Sequence, residues 1–210
     1  MIKINKGNVP KVFHDTKSKH NSYDELSGEE KDRLKEFLIN EQNKRCVYCM
    51  CRIDMKKSTV EHYVPRNGVH GDISKSLDYK NLFAVCTASR GEPPDKQTCD
   101  VKKGDKLLHI DPLNDNHINT ICYDKKGKVG SNNSEYDDDI NNILNLNTVS
   151  LMNQRKSAFD GLLQRMASKK NGAWKKEYIE RELNRFKAAD NNTPYVGYII
   201  YRLEERLKKF

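Results

Sequence analysis

The chain has 210 residues, 36% of them apolar and 32% charged, with a formal net charge of +8. That length suits one domain, or one core with a helical annex, and that composition gives a modest core under a well-hydrated surface, which a metal brace would help. The basic balance (pI about 9.1) points to a polyanionic partner, nucleic acid being the commonest, and no apolar run is long enough for a membrane span.

Residues 1–23 hold few apolar side chains, and Pro10 and the polar run 17–22 argue against a long element, so a surface arm is expected. The opening M-I-K-I-N-K lacks the apolar stretch of a secretory leader, which makes a reducing cytoplasm the expected location. Ser27-Gly-Glu-Glu30 is a capping box, and Leu34, Phe37 and Leu38 follow at helical spacing, predicting a helix over about 28–43. Residues 46–111 carry the chemistry. Within them, 87–98 (T-A-S-R-G-E-P-P-D-K-Q-T) reads as a loop, and Asp111-Pro112 marks the exit.

Beyond the exit, I-N-T-I-C-Y and the turn D-K-K-G-K predict a hairpin, and Asp137 to Asp139 an acidic helix start. Ile143, Leu144 and Leu146 predict a short helix. A second, capped by Asn147 or Thr148, carries Leu151, Arg155, Ala158, Leu162, Leu163 and Met166 until Gly172 breaks it. Trp174, Tyr178, Ile179, Leu183 and Phe186 mark a third. Thr193 as N-cap and Pro194 at the first helical position open a last one, with Val196, Ile199, Ile200, Leu203 and Leu207 on its packing face.

Six cysteines are present. Cys46 and Cys49 have C-x2-C spacing, so a tight turn can bring both thiolates to one tetrahedral ion. Cys86 and Cys99 are the best second pair, because closing the loop between them costs free energy that grows only logarithmically with its length. Four cysteines closed around zinc leave no position for water, so this zinc should hold structure. Cys51 stands too near the first pair for an independent role and is expected to face away, and Cys122 reads as a strand residue.

Between the cysteine pairs lies V-E-H-Y-V-P, residues 60–65. On a regular strand Glu61 and His62 face opposite ways, but at a strand end both can turn towards one cavity. Phosphodiester hydrolysis needs a base for water and a cation for the developing charge. His62 suits the base and Glu61 the cation, with Asp100, fixed beside Cys99, as second ligand. Two carboxylates and water suit Mg2+ or Mn2+. Asn81 can clamp the loop presenting His62, Lys103 can contact a phosphate, and His109 is the fallback ligand. His70 and His117 read as surface residues.

With these motifs in order, the chain resembles the HNH endonuclease superfamily and, more narrowly, the HNH subunits of Septu-type and retron-associated antiphage defence systems. M-I-K-I-N-K-G-N-V-P, C-V-Y-C, E-H-Y-V-P, L-D-Y-K-N-L, C-D-V-K-K-G-D, I-D-P and I-L-N-L-N-T-V-S-L-M-N-Q-R carry the resemblance. It implies an α+β fold with a zinc-braced ββα-metal core, flanked by an N-terminal helix and a C-terminal helical region. It makes His62 the general base, Glu61 the first metal ligand and Asn81 the middle asparagine, with Cys46, Cys49, Cys86 and Cys99 on structural zinc. Asp100 stands where a final histidine or asparagine is usual, and the 87–98 insertion is a second departure. The resemblance also implies an ABC/SMC-like ATPase partner and, in retron versions, a reverse transcriptase with its noncoding RNA. The expected division is arm 1–23, nuclease core 24–112, and hairpin with helical docking region 113–210. The rival expectations are a zinc-braced nucleic-acid binder without turnover and an adaptor that only docks on an ATPase.

Overall fold

The computed structural model describes residues 1–169 and 174–210, so Gly172, the expected helix breaker, lies outside the described residues. The architecture is α+β. Its α-helices are α1 (Lys11–Lys19), α2 (Gly28–Glu41), α3 (Cys99–Lys103), α4 (Asp115–Ile118), α5 (Ser134–Asp138), α6 (Val149–Lys169), α7 (Lys176–Lys187) and α8 (Val196–Leu207). Its strands are β1 (Ser58–His62), β2 (Leu82–Cys86), β3 (Ile121–Tyr123) and β4 (Val129–Ser131). Each strand pair is antiparallel, with Ser58 opposite Cys86 and His62 opposite Leu82 in the first sheet.

The capping box forms as its sequence dictates: Ser27 Oγ accepts from Glu30 N, and Glu30 accepts from Ser27 N. Those bonds hold the Glu30 carboxyl down at about 2. The helix delivers the chain to Gln42, whose buried side chain does what a third strand would do. Its Nε2 donates to Ala84 O at 2.8 Å and to Arg45 O at 2.9 Å, while its Oε1 accepts from Ala84 N at 2.8 Å. Val47 N also donates to Ala84 O. The free edge of β2 is thereby covered, and every residue of L-F-A-V-C is buried, which explains its unbroken apolar run.

Residues 1–23, expected as a surface arm, pack on the core at several points. Met1, Ile4 and Phe13 are buried, Ile4 N donates to Pro112 O, and Phe13 packs 4.9 Å from the Tyr79 ring. The buried apolar side chains form one cluster running from Met1 to Leu203.

The hairpin forms with Asp124 Oδ1 accepting from Lys126 N and Lys128 N, and with Gly127 at φ 87°. A Cβ at Gly127 would stand 2.4 Å from Met152 O, so only glycine fits. The two expected caps of α6 divide the work. Thr148 Oγ1 accepts from Leu151 N, whereas Asn147 bonds both backbone groups of Val129 and so pins β4. Three boundaries differ from expectation. Asn133 caps α5, and Asp139 begins a π-helical turn through Ile143 because its carboxylate is drawn into the core. Trp174 precedes α7. Tyr195, in the left-handed region at φ 56°, precedes α8 in place of the Thr193-Pro194 start; its N donates to Met50 O, which fixes the entry.

Candidate metal centre and active site

The cysteine turn is built by backbone bonds from Cys46 N to Cys51 O and from Met50 N to Cys46 O, with Met50 left-handed at φ 63°. Cys86 ends β2 and Cys99 begins α3, itself at φ 57° and held by a bond from its N to Leu144 O. The four Sγ atoms of Cys46, Cys49, Cys86 and Cys99 lie within 4.8 Å of one another, all buried. The separations are 3.9 Å for Cys46–Cys99, 3.7 Å for Cys49–Cys86 and 3.8 Å for Cys86–Cys99. A tetrahedron with zinc–sulfur bonds of about 2.3 Å has edges of about 3.8 Å, so the donor set fits zinc in both chemistry and size. Without a cation the four cannot all ionise: contact with Cys46 holds the thiols of Cys86 and Cys99 well above their usual range. Among the described residues this is the one cluster of three or more such ligands.

Cys51 does not face away. It lies within interaction range of Cys46, Cys49 and Cys86 and lines, with Cys49 and Cys86, a cavity of about 680 Å³. Cys122 sits half-buried on β3. The 87–98 loop is tied down by Ser89 Oγ, which accepts from Thr98 N, and by Asn145, whose Nδ2 donates to Asp95 O and Gln97 O.

Asn81 bridges backbone as expected. Its Oδ1 accepts from Val64 N at 2.7 Å, and its Nδ2 donates to Val64 O at 3.0 Å and Lys75 O at 3.1 Å. Both ends of the loop after His62 are thus held. Nε2–H of His62 donates to Ser76 O at 3.0 Å, which puts the lone pair of the neutral ring on Nδ1. The imidazole is buried, with Tyr23 edge-on at 5.0 Å; Arg66 stacks on Tyr23 and pairs with Asp24. Burial, then the charge of Arg66, pushes His62 down to about 4, so the ring is neutral at physiological pH.

Glu61 occupies the opposite face of β1. Its Oε1 accepts from Tyr48 OH at 2.9 Å and lies 2.8 Å from Lys103 Nζ. Burial, then a hydrogen bond with the Asp100 carboxyl, raises Glu61 to about 8, against the pull of Lys103. The structure therefore brings Glu61 and Asp100 together and keeps the imidazole among other side chains, because β1 stays regular to its end. Lys103 is the link: its Nζ also donates to His62 O at 3.2 Å. Being buried and paired, Lys103 is not an exposed phosphate contact. His109, the fallback ligand, is instead bonded through Nδ1 to Asp139 Oδ1. Sequence reasoning missed Tyr48, Gln42, Tyr23 and Ser76. Only Tyr48 carried a local signal, as an aromatic inside C-x2-C.

No known family profile matches the chain. It is 32% identical over 100 residues to Septu protein PtuB of Bacillus thuringiensis, covering 47% of this chain and 37% of that protein. It is 26% identical over 136 residues to "Retron Vc95 putative HNH endonuclease" of Vibrio cholerae serotype O1 biovar El Tor, covering 62% of this chain and 65% of that protein. The chain thus spans less than two thirds of either relative, and it resembles a protein of a Septu system and a putative HNH endonuclease of a retron. Among the described residues no helix is long and apolar enough to cross a membrane.

Proposed function

We propose that the chain is a metal-dependent HNH endonuclease, the effector subunit of a bacterial antiphage defence system, and that β1, β2 and α3 form its ββα-metal core. One observation carries this reading: carboxyls from two separate elements, the buried Glu61 on β1 and the half-buried Asp100 on α3, come close enough for Asp100 to raise the Glu61 pKa. Two acids held together call for a proton or a cation. Magnesium or manganese held by Glu61 and Asp100 would draw off the charge that develops on a phosphate during hydrolysis. The sulfur cluster fixes the backbone of α3, and with it Asp100.

His62 would take a proton from water at Nδ1, its ring oriented by Ser76 O. Asn81 fixes the loop, and Lys103 positions Glu61 and the end of β1. Tyr23, edge-on to the ring and itself covered by Arg66, would swing aside for a phosphate to approach. Residues 24–112 would be the nuclease core. Residues 113–210 would dock on an ABC/SMC-like ATPase, with a reverse transcriptase and noncoding RNA in a retron setting. The names of the two relatives support the nuclease and the Septu or retron setting.

The opposite-face placement of His62 and Glu61 favours a second reading, a zinc-braced nucleic-acid binder or ATPase-docking adaptor without turnover. Cleavage of plasmid, single-stranded DNA and transfer RNA, with and without Mg2+ or Mn2+ and the ATPase, separates the two. The nuclease reading expects a divalent requirement and a loss of roughly two to four orders of magnitude in rate for His62→Ala. A folded His62→Ala protein cutting at full rate rules it out.

A further inference from the structure

Away from the zinc cluster, the last two helices enclose a cavity of about 850 Å³, within the range of ligand-sized clefts. Trp174 and Phe210 supply aromatic walls, and Arg202, Arg206 and Lys209 line it with positive charge. The guanidinium carbon of Arg206 stands 5.5 Å from the Trp174 ring centre and 5.7 Å from that of Phe159; that of Arg202 stands 5.3 Å from Phe159.

These cations lack the ion-pair partners that their neighbours have. The acids of α8 have ion-pair partners of their own, Glu204 with Lys187 at 2.6 Å and Glu205 with Lys208 at 2.5 Å, although Glu205 and Asp124 also line the cavity. Among the described residues no carboxylate lies within ion-pair distance of Arg202, Arg206 or Lys209. Arg206 Nε is shielded from solvent with no hydrogen-bond partner. Arg202 Nη1 donates to Tyr198 OH at 3.3 Å, but neither guanidinium has a carboxylate within ion-pair distance, and two half-buried cations one helical turn apart are an unfavourable arrangement that an anion would relieve.

We propose that this cavity holds a single-stranded stretch of nucleic acid, with a base stacked on Trp174 and its phosphates on Arg202, Arg206 and Lys209. The nuclease reading supplies the identity of the polyanion. The combination of flat aromatic faces with guanidiniums favours nucleic acid over an acidic peptide, because bases stack and carboxylates do not.

Trp174 is the chain's single tryptophan, so its fluorescence reports this cavity alone. The test titrates an oligothymidylate of about 12 nucleotides into full-length, zinc-loaded His62→Ala protein, with anisotropy of a labelled oligonucleotide as an independent measure of binding. Quenching that saturates with the anisotropy is expected. Arg206→Gln and the exposed Lys209→Glu should each weaken it about tenfold, and added salt should weaken it steeply. Lys209→Glu keeps the test decisive should Arg206→Gln not fold. Binding with unchanged emission overturns the proposal, as does no binding at all. Quenching by a poly-glutamate peptide equal to that by the oligonucleotide overturns it in favour of a protein partner. Cleavage by the native chain with a silent Trp174 sinks the cavity alone, whereas quenching without cleavage under any condition sinks the nuclease reading alone.

Discussion

The ammonium of Lys103 and the carboxyl of Glu61 meet at 2.8 Å with 1% and 4% of their side chains exposed. A lysine read from sequence as a phosphate contact is thus an interior counter-charge, tying α3 to β1. Removing one partner of a buried pair leaves the other uncompensated, at a cost of roughly 3–5 kcal/mol. Glu61 can take up a proton, since burial already raises it to about 8. Lys103→Met should therefore fall at the lower end, about 3 kcal/mol. Adding Glu61→Gln should recover most of that loss. Denaturant unfolding of the zinc-loaded proteins measures both, and a Lys103→Met protein as stable as the native one would show that the pair contributes nothing.

The cysteine cluster makes a sharper prediction. Structural zinc contributes roughly 10–16 kcal/mol of apparent binding free energy, comparable with or above the whole stability of about 5–15 kcal/mol expected of a domain. Chelation, or Cys99→Ser, should abolish the cooperative thermal transition. Cys122→Ser, on a half-buried strand position, should shift it little. Zinc released into a chromogenic dye after thiol modification should amount to one ion per chain. A metal-free chain that melts as sharply as the native one would mean the sulfurs are not a zinc site.

What the sequence shows directly is what local chemistry determines. The capping box of α2, the D-K-K-G-K turn, the apolar run of β2 and the two cysteine pairs each follow from spacing and residue type. What it hides depends on contacts across the chain. The burial of Met1, Ile4 and Phe13 depends on partners such as Pro112 and Tyr79. The turning inward of Lys103 depends on Glu61, 42 positions earlier, and the opposite facing of His62 depends on β1 remaining regular to its last residue. Asp139 resembles its acidic neighbours in sequence, and only the fold makes it the buried one.

Gln42 is a case of the same kind with a measurable consequence. Its amide makes three hydrogen bonds in a buried position, two of them to Ala84 at the centre of β2. Gln42→Leu keeps the volume and leaves these backbone groups without their side-chain partner, at about 1–3 kcal/mol for each one left unsatisfied. Val47 N still reaches Ala84 O, so a total of about 2–3 kcal/mol is expected. Hydrogen exchange should show the loss concentrated at Ala84 N, which donates to Gln42 Oε1. Undiminished protection there would place the support of β2 elsewhere.

His109 gives the chain a pH-dependent bond outside the cysteine cluster. Asp139 accepts from the backbone N of both His109 and Ile110, and its other oxygen faces His109 Nδ1 at 3.2 Å. That hydrogen bond, then the charge of Asp139, raises the His109 pKa above its ordinary value. The folded chain therefore binds the proton more tightly than the unfolded one. The stabilisation is fully present below the unfolded value of about 6.5 and fades as pH rises through the higher folded value. The ring is largely solvent-exposed, so the effect should be small and reduced by salt. Melting temperatures across about pH 6 to 9 should show a decline that His109→Asn removes, and the imidazole of His109 should titrate above that of a free histidine by NMR. A native chain and a His109→Asn variant with parallel pH profiles would separate the ring from the clamp, leaving Asp139 to hold the backbone alone.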